Sequence, residues 1–315
     1  MKGNVSDPNL NSKNIPKDIK DKITNALNVA GTFFPLTCAE AIKKSGWNIL
    51  DMEYPVAIKE GFTRNIDSRL DIWASYKVVE GEYLLAMVEC KKNDPKYKTW
   101  VFFPKYTKLE NLPLFQFNTI TCKLKEGRET PQSSADINIT TRLDCRHFPD
   151  IGYHRRINPN DPLPETYYEC REVKDNWQST GKNIYDACSQ VAIALHSLMK
   201  EQSSKYLCAF FEKNKKILRF QTFIPIVITT ANLLTCKFDI KDINLEKGEV
   251  PPEKVTYKPM NWLAYEFPLS SHLWAQPVGG VPTTITDKVR TKKISMFIVK
   301  SEYTQEFFEK MKNYQ

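Results

Sequence analysis

Ser68-Arg69-Leu70-Asp71-Ile72-Trp73-Ala74 and, a few residues on, Tyr83-Leu84-Leu85-Ala86-Met87-Val88-Glu89-Cys90-Lys91-Lys92 are the stretches that decide the fold. Both read as strands. Leu84 to Val88 runs without a polar interruption, the pattern of a strand covered on both faces, and then breaks into Glu89 and Lys91. Successive side chains of a strand alternate, so Glu89 and Lys91 share one face while Val88, Cys90 and Lys92 take the other. With a turn across Val78-Val79-Glu80-Gly81-Glu82 the two strands pair, and Asp71 approaches Glu89.

Two carboxylates brought together in a partly dry place repel each other, and the relief is a shared proton or a bound divalent cation. Oxygen donors select a hard metal such as magnesium. A lysine beside that metal orients or deprotonates a water, or stabilises charge on a phosphate oxygen. Asp71 followed by Glu89-Cys90-Lys91 at the end of a buried strand resembles the restriction-endonuclease-like, or PD-(D/E)XK, nuclease superfamily.

The resemblance implies an α/β fold with a mixed central sheet flanked by helices, its core running helix, three strands, helix, strand. It implies hydrolysis of a DNA phosphodiester with Mg2+ or Mn2+, leaving a 5′-phosphate. Asp71, Glu89 and the Cys90 backbone carbonyl would hold the metal, and Lys91 would act on the attacking water. A glutamate on the helix before the first strand often joins such a site, which singles out Glu40; a glutamine on the helix after Glu-x-Lys singles out Gln190. Glu40 also has a mundane role open to it, as partner of a Thr37 helix cap, and Gln190 as a boundary residue of its helix.

Three letters alone are weak, since a chain of this length contains on the order of one Glu-x-Lys by chance. Glu172-Val173-Lys174 also fits, but it lies in a polar stretch with no buried strand expected behind it, and it is expected to be exposed and remote from Asp71. The apolar run selects Glu89. The rival readings are a surface ion pair at a strand end and a nuclease-like fold that binds nucleic acid or a protein without cutting.

The 315-residue chain carries a net charge of +8. Between 51 and 92 there are 6 basic and 8 acidic residues, against 19 basic and 13 acidic between 181 and 315. An acidic pocket in a basic protein suits a metal site that receives a polyanion, so nucleic acid is the expected partner, with a homodimer as a further option. No apolar run is long enough to cross a membrane. Eight cysteines without a Cys-x-x-Cys pair argue against zinc and read as small buried hydrophobes of a reducing compartment, the cytoplasm.

Residues 1–14 read as a mobile tail, neither signal nor transit peptide. Residues 15–92 and 181–315 read as the nuclease-like core with a C-terminal elaboration, and 93–180 as an insertion for substrate recognition, a lid or dimerisation. Within the core, expected helices cover Pro16 to Ala30, Thr37 to Ser45, Gly181 to Lys200 and Ser301 to Asn313; expected strands cover Trp47 to Ile58, Leu218 to Thr230 and Lys293 to Lys300. Residues 232–290 resist assignment.

Overall fold

The computed structural model describes residues 15–60, 64–93, 99–104, 116–125, 137–145, 148–152, 164–173, 176–180, 182–202, 217–269 and 293–314. It is a mixed α/β structure of two mixed sheets and four α-helices among those residues. The tail before residue 15 lies outside them, as do the basic residues Lys213, Lys215, Lys216, Lys288, Arg290 and Lys292. No helix among the described residues is long and apolar enough to cross a membrane.

Helix α1 (Lys17–Ala30) ends at Gly31, whose φ of 80° gives the left-handed stop that glycine adopts without strain. Helix α2 (Phe34–Lys44) begins earlier than its expected Thr37 cap. Pro35 sits in its first turn, where a missing N–H costs nothing, and the Thr37 hydroxyl donates back to the Phe33 carbonyl at 3.1 Å. Strands β1 (Asn48–Glu60), β2 (Arg64–Val79) and β3 (Glu82–Lys91) then form an antiparallel meander, with Gly81 in the turn at φ 81°.

After β3 the chain makes β4 (Thr99–Pro104), β5 (Gln116–Leu124), β6 (Ile137–Cys145), β7 (Pro164–Val173) and β8 (Asn176–Thr180) before α3 (Lys182–Gln202). Strand β9 (Ile217–Thr229) follows and lies parallel to β3 from Glu82↔Phe220 to Lys91↔Thr229. The end of the chain supplies β10 (Asn232–Lys237), β11 (Thr256–Met260), β12 (Trp262–Pro268), β13 (Lys293–Lys300) and α4 (Thr304–Met311).

The first sheet runs β1-β2-β3-β9-β13-β12, and β9 shares its second edge between two neighbours. Antiparallel β5 pairs with it up to Phe223, and parallel β13 takes over from Ile226. Pro225, which cannot donate to a ladder, falls in the gap between them. The second sheet runs β11-β10-β4-β7-β8.

Strands of the 93–180 stretch join both sheets: β5 and β6 extend the first, while β4, β7 and β8 form the second together with β10 and β11. Trp100 and Phe102 of β4 are buried with core residues from outside the stretch. Glu172 lies in β7, while its side chain and Lys174 are outside the described residues, so the expected exposure of that pair and its remoteness from Asp71 lie outside them too.

Two apolar layers sandwich the first sheet. On one face Leu85 and Met87 pack with Ile184, Cys188 and Val191 of α3 and with Trp100 and Phe102 of the second sheet. On the other, Leu84, Ala86, Val88 and Cys90 pack with Cys38 and Ile42 of α2 and Phe307 and Phe308 of α4. Trp47 joins α2, β2 and α4: its indole N–H donates to the Phe308 carbonyl at 3.0 Å, and its ring meets Phe308 edge-on and Tyr76 at a tilt. Trp47→Ala is expected to cost about 3–5 kcal/mol of unfolding free energy in urea denaturation, the range for emptying a buried aromatic site.

Candidate metal and active site

Beyond the last rung of the β2–β3 ladder, Ile72↔Val88, the chain replaces one backbone bond by a side-chain bond. The Cys90 N–H donates to Asp71 Oδ2 at 2.7 Å. That bond draws Asp71 across to β3 at the place where the register would set it opposite Glu89. The N–H and C=O of one strand residue point to the same neighbour, so the Cys90 carbonyl also faces the opening beside Asp71.

Glu89 is 7% exposed, and its Oε2 has no hydrogen-bond partner among the described residues. Burial, the Asp71 charge next to it and, in opposition, the Lys91 ammonium together push its carboxyl up to about 9. Asp71 is also raised, first by burial and then by Glu53, while the Cys90 N–H and Lys91 pull it down. Lys91 is half-buried on the Glu89 face of β3, and its charge reaches both carboxylates. Asp71, Glu89 and Lys91 thus form one electrostatic group at the end of a buried strand.

One expected member, Glu40, is not brought to it. Glu40 is turned to solvent on α2 and ion-pairs with Lys44 at 3.7 Å. The reason is the sidedness of β3: α2 packs on the Cys90 face, and Glu89 and Lys91 point to the other. Gln190 sits half-buried on α3. Cys188 is the residue of α3 that Glu89 touches electrostatically, burial and then the Glu89 charge raising its thiol.

One residue not singled out by the sequence stands beside the group. Glu53 occupies the β1 position across from Asp71, between the pairs Met52↔Ile72 and Tyr54↔Leu70, and adds negative charge to Asp71. Its only sequence signal is the Asp51-Met52-Glu53 alternation before Pro55, which also fits an ordinary solvent-facing edge.

The donors are all oxygens: two carboxylates and one backbone carbonyl, with an orphaned buried carboxylate oxygen among them. Such a set fits a hard divalent cation, and Asp71, Glu89 and the Cys90 carbonyl are the groups that would hold it. No family model matches the chain, and comparison with curated proteins and with solved structures gave no match.

The raised Glu89 carboxyl fixes a sign for stability. In metal-free protein the folded state keeps this proton up to about 9, while an unfolded glutamate loses it near its ordinary value of 4.5. The folded state therefore binds more protons across that window, and unfolding free energy from this group falls as pH rises, by at most about 1.4 kcal/mol per pH unit. Urea denaturation in chelator between pH 6 and 8.5 is expected to show this decline in the wild type and a flatter profile in Glu89→Gln.

Proposed function

We propose that this protein is a divalent-cation-dependent nuclease that hydrolyses DNA phosphodiester bonds, with a core of the restriction-endonuclease-like type. The observation that carries the proposal is the buried Glu89 carboxylate oxygen without a partner, next to Asp71 and Lys91. Element order supports it: helix α2, the antiparallel meander β1-β2-β3, helix α3, and β9 parallel to β3. The acidic pair at the end of β3 and the overall charge of +8 suit a polyanionic substrate.

When bound, Mg2+ or Mn2+ would supply Lewis-acid stabilisation of charge on the phosphate and its leaving oxygen. Asp71 is oriented for its share by the Cys90 N–H, which occupies Oδ2 and leaves Oδ1 to the site. Glu89 must give up its proton to take part, and displacing it is easier where a dication replaces the missing compensation. Lys91, on the same face, orients the attacking water through a hydrogen bond or stabilises the charge that develops on the phosphoryl oxygen. Water attacks phosphorus, the bond to the 3′ oxygen breaks, and the 5′ side keeps the phosphate.

Cleavage of plasmid and linear DNA, run beside a binding assay at fixed salt, tests this reading. Wild-type protein is expected to cut with Mg2+ or Mn2+ and to stop in chelator. Glu89→Gln should lose both cation affinity and cleavage. Lys91→Ala should keep cation affinity and lose cleavage on the order of a hundredfold or more. DNA bound but never cut under either metal would instead favour a binding module built on the same fold.

A further inference from the structure

Glu53 has a setting that an ordinary edge-strand glutamate does not need. Its φ of 52° makes it the sole non-glycine with left-handed backbone among the described residues. A bulky side chain takes that conformation only where the surroundings impose it, and such positions gather at functional sites. What imposes it is a change of side in the hairpin. Met52 and Ile72 pack into the α2 layer, yet Tyr54 and Leu70, one alternation further, pack into the α3 layer. Both strands cross over at the rung that holds Glu53 and Asp71.

In the present rotamer Glu53 is 68% exposed and ion-paired with Arg69 at 3.1 Å. Among the described residues no three His, Cys, Asp or Glu side chains converge as metal ligands, so Glu53 is not yet at the site. The pair Glu53–Arg69 lies in solvent on both sides, where such a contact is weak and readily exchanged. An independent feature calls for a cation at the neighbouring position: the Glu89 Oε2, buried without a partner.

We propose that Glu53 is a third carboxylate ligand of the cation held by Asp71 and Glu89, and that Arg69 keeps it off the site until the cation is present. The proposal rests on the assignment of Asp71 and Glu89 as metal ligands. A dication attracts a carboxylate more strongly than a solvated guanidinium does, and Asp71, Glu89 and the Cys90 carbonyl leave coordination positions for a further oxygen. The crossover rung puts that oxygen across the strand pair from Asp71, on the strand opposite β3. Glu53 thereby fills the role that Glu40, on the far face of the sheet, does not.

Manganese titration of the full chain, without nucleic acid, followed by calorimetry and by the paramagnetic signal of free Mn2+, tests the exchange. Glu53→Gln is expected to weaken Mn2+ about tenfold or more, and Arg69→Ala to tighten it by several-fold. The double variant Glu53→Gln/Arg69→Ala should match Glu53→Gln alone, because Arg69 acts only through Glu53. Glu53→Asn, which tolerates left-handed backbone, repeats the test should Glu53→Gln fold poorly. Unchanged affinity in both Glu53 variants, or tightening by Arg69→Ala that persists in the double variant, overturns the proposal while leaving Asp71 and Glu89 as ligands. Absence of any Mn2+ binding by wild-type protein, with Asp71→Ala no different, overturns the metal site itself and this inference with it.

Discussion

A carboxylate oxygen buried with nothing to bond to is the constraint on which the rest of this structure turns. Leaving one polar atom unsatisfied in a protein interior costs about 1–3 kcal/mol, and a full charge there costs more. Glu89 bears that cost at the end of β3, where Leu84 to Val88 are buried on both faces and Phe223 to Ile228 of β9 are buried alongside. The surrounding strands have ample apolar area to offset it. The unmet acceptor is a local conflict inside the sheet, and such conflicts collect where function is placed.

The same place holds the one non-glycine residue with positive φ among the described residues. A glutamate in left-handed conformation costs of order 1–3 kcal/mol, more than the exposed ion pair to Arg69 returns. The compensation is structural. By crossing over at Glu53 and Asp71, the β1–β2 hairpin sends Ile72 and Ala74 into the α2 layer and Leu70 and Val56 into the α3 layer, so one ribbon contributes to both cores. The crossover also stops the β2–β3 ladder at Ile72↔Val88 and leaves the Cys90 N–H to Asp71. Strain, ladder end and acidic pair are three consequences of one bend.

Much of this was legible in the chain. The uninterrupted run before Glu89, the turn at Gly81, the stripe on α3 and the Gly31 stop each follow from local pattern, and each lies where the pattern puts it. The Asp71–Glu89 approach follows from strand pairing, which a hairpin of short loop makes a local matter. What the sequence hides is long-range. Nothing in Thr99 to Phe102 says that it will lie parallel to Asn232 to Thr235, more than a hundred residues on, so the 93–180 stretch reads as an insertion although β5 and β6 join the first sheet and β4, β7 and β8 the second. The start of α2 was lost to a competing local signal, Thr37 and Glu40 at cap spacing, although Pro35 in the first turn sets the real beginning. Glu53 was hidden because periodicity assigns a face and cannot announce a residue at which the face changes.

The sidedness of β3 explains why Glu40 does not reach the Asp71–Glu89 group. Alternation sends Cys90 toward Cys38 of α2 and Glu89 toward Cys188 of α3, so the strand end belongs to two layers at once. A ligand delivered by α2 would have to pass around the sheet edge, and Glu40 instead faces solvent beside Lys44. A ligand delivered by β1 needs no such detour, because β1 is bonded to β2 and β2 carries Asp71. Cys90 links core and site: its side chain is fixed in the α2 core while its N–H holds the Asp71 carboxylate. Any change that shifts the Cys38–Cys90 packing therefore moves the Asp71 carboxylate, and the apolar core behind the strand positions the polar groups in front of it.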